Sequence, residues 1–156
     1  MALRLKTRSQ DDTFALGRAL GACLRPGDTL LLSGDLGTGK SVLARGAARA
    51  LGVEGPIPSP SFTIMFPYEG CVPVYHFDLY RLSGPDEFEA AGLSEWFGGA
   101  GVCLVEWPET VDLAAHPCVR LTLRRAEEDE ARDVELETDG VPLNEAVFAP
   151  WRAEKA

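Results

Sequence analysis

Apolar and polar positions along the chain follow two periods, and each change of period marks an element. Ala2 to Lys6 alternates with period two, which predicts a short edge strand. In SQDDTFALGRALGACL the period lengthens. Phe14, Leu16, Leu20 and Leu24 recur at mostly helical spacing, and Ser9 stands as N-cap with Asp12 three residues on. This helix should stop ahead of Pro26-Gly27, because proline has no N–H to continue the ladder. An apolar run, Thr29-Leu30-Leu31-Leu32, then enters SGDLGTGKS, and VLARGAARALG behind it is rich in strong helix formers.

Downstream, IPSPSFTIMFPYEG holds a proline-punctuated loop and a predicted strand from Phe62 to Phe66, and VPVYHFD predicts another strand. PDEFEAAGLSEWFG opens with proline and three early acids, as a helix N-terminus does, with Phe88, Leu93, Trp96 and Phe97 for its inner face. GVCLVE, bounded by glycines and ending on a carboxylate, has the pattern of a buried parallel strand. CVRLTLRR and RDVELETDG alternate and predict an antiparallel pair about the charged turn AEEDEA, whose acids read as solvated. A last short helix from Pro142 should pack Val147, Phe148 and Trp151 back before the end frays.

With 156 residues and 46% hydrophobic content, the chain can bury one core and is short for two. The expected organisation is therefore a single domain over residues 1–151 and a frayed tail over 152–156. A formal charge of −9 opposes an independent grip on a phosphate backbone, so any RNA is expected to be held by a partner, and DNA is not expected. Cys23, Cys71, Cys103 and Cys118 form no CxxC pair, and with only His76 and His116 there is no zinc-like spacing. The N-terminus has no apolar signal core, and no segment reaches the about 20 apolar residues that span a bilayer. A cytoplasmic protein without a membrane partner is the expectation.

The chemistry lies in the loop. Gly34-Asp35-Leu36-Gly37-Thr38-Gly39-Lys40-Ser41 matches GxxxxGK[ST] without a gap, between a predicted strand and a predicted helix. Its glycines let the backbone curl so that amides and the helix end meet phosphate oxygens. Lys40 is expected to reach the β/γ-phosphates, and Ser41 to place its hydroxyl on Mg2+. A magnesium site also needs an acid at the end of a neighbouring strand, and two are offered: Glu106 ends VCLVE and Asp78 ends VPVYHFD. The cleaner apolar run favours Glu106 for metal and leaves Asp78 for water or the metal shell. An ion pair or helix cap is the plain alternative for each. Lysine occurs only at 6, 40 and 155, none within the [NT]KxD pattern that reads guanine, so ATP is expected by exclusion. The fold class expected is α/β, a P-loop NTPase-like three-layer fold with a mostly parallel central sheet and a C-terminal antiparallel strand pair.

LLSGDLGTGKS, PSPSFTIMFPY, VYHFDLYRL and CLVEWPE, in this order, resemble the bacterial TsaE family, small P-loop ATPases needed for threonylcarbamoyladenosine formation in tRNA. The resemblance runs from the first helix to the paired C-terminal strands. It implies that Lys40 binds phosphate, that Ser41 and Glu106 hold magnesium, and that Asp78 belongs to the hydrolytic machinery. Ser59-Pro60-Ser61-Phe62-Thr63 would be a switch-like loop, with Thr63 on the nucleotide side. The segment closing over adenine maps to Ser9 through Thr13, with Gln10, Asp11 and Thr13 as contacts, and a hairpin Arg near the nucleotide maps to Arg132. The family commonly has Thr where this chain has Ser41 and Ser61, so a hydroxyl is kept and a methyl lost. SQDDT also departs from the family's usual acidic pattern. TsaD would carry the transfer site with TsaB as its dimer partner, tRNA being met only through that assembly.

His76 is a candidate base, although in YHFD its side chain is expected opposite Phe77, in a structural or hydrogen-bonding role. Tyr80, Arg81 and Trp107 read either as packing and surface residues or as a route from the site to a partner. Two rival functions remain open at this level. A small-molecule kinase, with Arg124, Arg125 and Arg132 as lid residues, would leave labelled γ-phosphate on a metabolite. A nucleotide-sensing module would work equally with ATP and a non-hydrolysable analogue.

Overall fold

Leu30, Leu31 and Leu32 are all buried. A run with no polar face must be covered on both sides, and it forms the middle of a sheet. The computed structural model describes residues 2–58, 64–110 and 117–153. Seven strands, β1 (Ala2–Thr7), β2 (Thr29–Ser33), β3 (Met65–Glu69), β4 (Pro73–Asp78), β5 (Val102–Glu106), β6 (Cys118–Arg125) and β7 (Arg132–Asp139), make one sheet in the order β1-β7-β6-β2-β5-β4-β3. The middle is parallel: β2 pairs with β5 and β6, and β4 with β5. The flanks are antiparallel, β3 on β4 at one edge and β7 between β6 and β1 at the other.

Pleating sends alternate leucines of β2 to opposite layers. Leu30 and Leu32 join Leu16, Leu20, Leu43 and Ala47 under α1 (Gln10–Gly21) and α2 (Lys40–Ala50), while Leu31 joins Phe77, Phe88, Phe97 and Val105 on the side of α3 (Pro85–Ala90). The architecture is thus the α/β layered fold expected, with a mostly parallel centre. The α1–α2 contact is made backbone to backbone. A Cβ on Gly17 would lie 2.1 Å from the Leu43 carbonyl oxygen, and one on Gly46 would lie 2.2 Å from that of Phe14. The start of α1 is capped as its sequence predicts, Ser9 Oγ accepting from Asp12 N at 3.0 Å. Asp12 Oδ1 in turn accepts from Trp151 Nε1 at 2.8 Å, which ties the C-terminal 3-10 turn (Glu145–Trp151) to this helix.

Four local expectations change. Of the strand expected over Phe62 to Phe66, Phe62 and Thr63 lie outside the described residues, and the described strand runs over Met65–Glu69, beyond the expected end. Pro67 is admitted because β3 is an edge, where a missing N–H costs no interior ladder bond. The helix from Pro85 ends at Ala90, after which Gly92, at φ 70°, turns the chain into a 3-10 turn (Leu93–Trp96). Trp96 is exposed rather than inward, its ring beside Tyr75 at 4.8 Å. Val147 is likewise exposed, while Phe148 is buried as expected. Among the described residues all four cysteines are free, and burial pushes the Cys103 thiol up to about 12. No described helix is long and apolar enough to cross a membrane.

Candidate functional site

β2 ends at Ser33 and α2 begins at Lys40, so the glycine-rich segment between them leaves the sheet at its parallel centre. Gly37 and Gly39 adopt φ of 78° and 103°, a region that side chains disfavour, and this curls the loop ahead of the helix. Lys40 is buried and folds back, its Nζ donating to the carbonyls of Gly34 and, at 2.9 Å, Asp35. Burial lowers its pKa, opposed by Glu106, Glu109, Asp78 and Asp35. The ammonium also sits 4.2 Å from the centre of the Trp107 ring, a cation–π contact.

Ser41, in the first turn of α2, donates its hydroxyl to Glu106, with Oε1 at 2.9 Å and Oε2 at 3.1 Å. This joins the loop to the end of β5 and brings together the two residues expected to share a metal. Glu106 is buried, and its Oε2 lies 2.7 Å from His76 Nε2, itself buried. The sequence left His76 among structural and catalytic readings; it sits against the carboxylate, on the sheet face opposite Phe77. Asp78 is the register partner of Glu106 across β4 and β5. Burial raises its pKa, with Glu106 adding to the effect, against an N–H bond from Tyr80 at 3.1 Å and the nearby His76 and Lys40.

Directly after Glu106 the chain turns at Trp107, whose φ of 61° is unusual for a bulky residue. Its ring lies 4.7 Å from that of exposed Tyr80, tilted at 47°, so the segment after Asp78 reaches the lysine through two aromatic rings in contact.

A cleft of about 340 Å³ collects most of the predicted residues. Gln10, Thr13, Leu36, Gly37, Thr38, Gly39, Lys40, Ser41, Asp78, Glu106 and Arg132 line it. Gly34 and Asp35 lie behind it, serving through their carbonyls, and Asp11 is exposed on α1 outside the lining. Thr63 and the rest of the switch-like loop fall outside the described residues. The lining adds Glu130, which had read as part of a solvated turn. Its Oε1 accepts from Gln10 N at 3.0 Å, so the hairpin turn holds the start of α1. Nothing in an acidic turn distinguishes the one carboxylate that folds inward.

The family model for threonylcarbamoyl adenosine biosynthesis protein TsaE matches residues 7–134. The chain belongs to the TsaE family. A Bacillus subtilis relative, named tRNA threonylcarbamoyladenosine biosynthesis protein TsaE, is 40% identical over 130 residues, covering 82% of this chain and 81% of that one. A Streptomyces coelicolor TsaE is 43% identical over 124 residues, covering 76% and 83%. The crystal structure of Bacillus subtilis YdiB superposes with a TM-score of 0.71 at 34% identity, over 87% of this chain and 84% of that structure. Three of the four sequence blocks that suggested TsaE, SGDLGTGKS, VYHFD and CLVEW, meet at the cleft, while the fourth, PSPSFTIMFPY, lies partly outside the described residues.

Proposed function

We propose that the chain is a magnesium-dependent ATPase that serves threonylcarbamoyladenosine modification of tRNA together with TsaB and TsaD. The observation that carries this reading is Ser41 Oγ held at 2.9 and 3.1 Å from the Glu106 carboxylate oxygens, immediately behind a phosphate loop. A hydroxyl and a carboxylate are hard oxygen donors, the kind magnesium takes one or two at a time, filling its shell with phosphate oxygens and water. These residues fit the ion, and Ser41 and Glu106 would hold it. Bound there, magnesium would withdraw charge from the phosphates. The tRNA role follows from the family and the names of its relatives.

The chain's own groups would divide the remaining work. Loop amides and Lys40 bind phosphate oxygens, the ammonium exchanging the carbonyls of Gly34 and Asp35 for the ligand. Asp78, a carboxyl whose pKa burial raises, sits one strand from Glu106 and would orient the attacking water and receive its proton. Gln10, Thr13 and Arg132 line the cleft with the loop and would hold the rest of the nucleotide. Partner docking on the Tyr80 side would reach Lys40 through Trp107, which gives slow turnover alone and faster turnover in the assembly. The test is phosphate release with TsaB, TsaD and tRNA added singly and together. Stimulation by the assembly is expected, with the product as free phosphate. No stimulation in any combination sinks the partnership, and γ-phosphate on a metabolite makes the protein a kinase.

A further inference from the structure

Cationic side chains engage the carbonyls all along the phosphate loop. Five consecutive carbonyls accept from cationic side chains. Lys40 takes those of Gly34 and Asp35, Arg125 Nη2 takes that of Leu36 at 2.6 Å, and Arg132 takes Gly37 through Nη2 at 3.3 Å and Thr38 through Nε at 2.9 Å. Arg125 is the least expected member, an exposed residue at the end of β6 that does not line the nucleotide cleft.

Arg125 and Arg132 are direct partners in the β6–β7 ladder. Like charges placed opposite each other destabilise a sheet. The turn between them is rich in acids, yet neither arginine forms an ion pair with a described carboxylate. Their guanidinium groups extend to the loop, where carbonyl dipoles offset the repulsion. Gly37 itself takes a φ of 78°, and a Cβ there would lie 2.8 Å from Arg125 Nη2, the mobile end of that side chain.

The peptide plane turns this into orientation. In a trans peptide the carbonyl of one residue and the N–H of the next point in opposite directions. Drawing the Leu36 carbonyl outward aims the Gly37 amide inward, and drawing the Thr38 carbonyl outward does the same for Gly39. We propose that Arg125 is a positioning residue of the phosphate loop: paired with Arg132, it holds the Leu36 and Thr38 carbonyls outward so that the Gly37 and Gly39 amides face the ligand before any ligand arrives. Arg125 touches no nucleotide in this role. Its effect on loop order does not depend on the ATPase reading, whereas its effect on affinity rests on it.

The experiment compares the full chain with Arg125→Ala and Arg125→Lys. Hydrogen exchange without nucleotide should show the Thr38 amide, which the loop holds on the Asp35 carbonyl, opening about tenfold faster in Arg125→Ala, as expected for losing about 1.4 kcal/mol of local stabilisation, with the sheet amides unchanged. ATP and ADP should both bind about tenfold more weakly by the same measure, with kcat at saturation unchanged. Arg125→Lys, keeping the charge but not the planar fork, should fall between the two proteins. Unchanged loop exchange overturns the proposal. So does a fall in kcat at unaltered affinity, which would place Arg125 on the reacting phosphate. If the wild-type chain binds neither nucleotide, the exchange result alone decides the inference while the ATPase reading fails separately. If Arg125→Ala does not fold, the Lys variant carries the same comparison.

Discussion

Asp78 and Glu106 sit side by side on adjacent strands, yet their surroundings separate them. Glu106 is buried and bonded by Ser41 and His76, whereas Asp78 is half-buried with one N–H bond from Tyr80. A carboxylate held from two sides is a fixed ligand, and one held from one side is available to a proton. Glu106→Gln is therefore expected to weaken magnesium-dependent nucleotide binding about tenfold or more, while Asp78→Asn lowers single-turnover hydrolysis at nearly unchanged binding. Metal-titrated binding set beside single-turnover rates would reverse the two assignments if each variant showed the other's defect. Asp78 also makes a stability prediction. Its folded carboxyl titrates above its unfolded one, so its ionisation costs folding free energy. That cost is absent below the ordinary carboxylate range and grows as pH rises through the raised value. In metal-free protein Asp78→Asn should raise Tm, by more at about pH 8 than at about pH 4, close to the ordinary carboxylate value, where little of the cost has developed. A variant less stable at both values would show that the charge is compensated in the fold.

At the scale of elements, the same logic explains what could be read in advance. β2 and β5 were legible because strands covered on both faces are apolar throughout, and α1 because its cap and spacing agree. The end of β3 was not, since Pro67 reads as a strand breaker until one knows the strand is an edge. Ser41 and Glu106 could be paired because the loop motif needs an acid and β5 ends on one. The bracing of the loop by Arg125 and Arg132 left no such trace, because its acceptors are backbone carbonyls, identical in every residue. His76 against Glu106 depends on how β4 and β5 are aligned, which single strands do not encode. The α1–α2 contact gives an element-scale prediction. Alanine favours a helix over glycine by about 1 kcal/mol, but at Gly46 its Cβ would meet the Phe14 carbonyl oxygen at 2.2 Å. Overpacking against backbone should win, and Gly46→Ala is expected to lose about 1–3 kcal/mol in chemical denaturation. Gly99→Ala, with open space around the new methyl, should stay within about 0.5 kcal/mol. Equal midpoints for the two variants would mean that the helices can separate without cost.

The molecule as a whole carries a net charge of −9, and several of its cations already have partners within the fold. Lys6 pairs with Glu128, Arg124 with Glu135 and Arg152 with Glu145, while Arg125 and Arg132 serve the loop and Arg49 donates to the Val53 carbonyl. Nucleic-acid affinity arises mainly from cations that displace counterions from phosphates, each contact adding to the salt dependence. An overall negative field has little to offer a tRNA backbone, whatever the fate of the modified base. The chain alone should therefore bind tRNA weakly, with a salt slope corresponding to about two phosphate contacts or fewer, and joint retention of chain and tRNA should require TsaB and TsaD. Fluorescence anisotropy of labelled tRNA, titrated with the chain at several salt concentrations and then repeated with the partners, measures both. Tight binding by the chain alone with a steep salt slope would show that its arginines leave the loop and the ion pairs for RNA, and would move tRNA from an indirect to a direct partner.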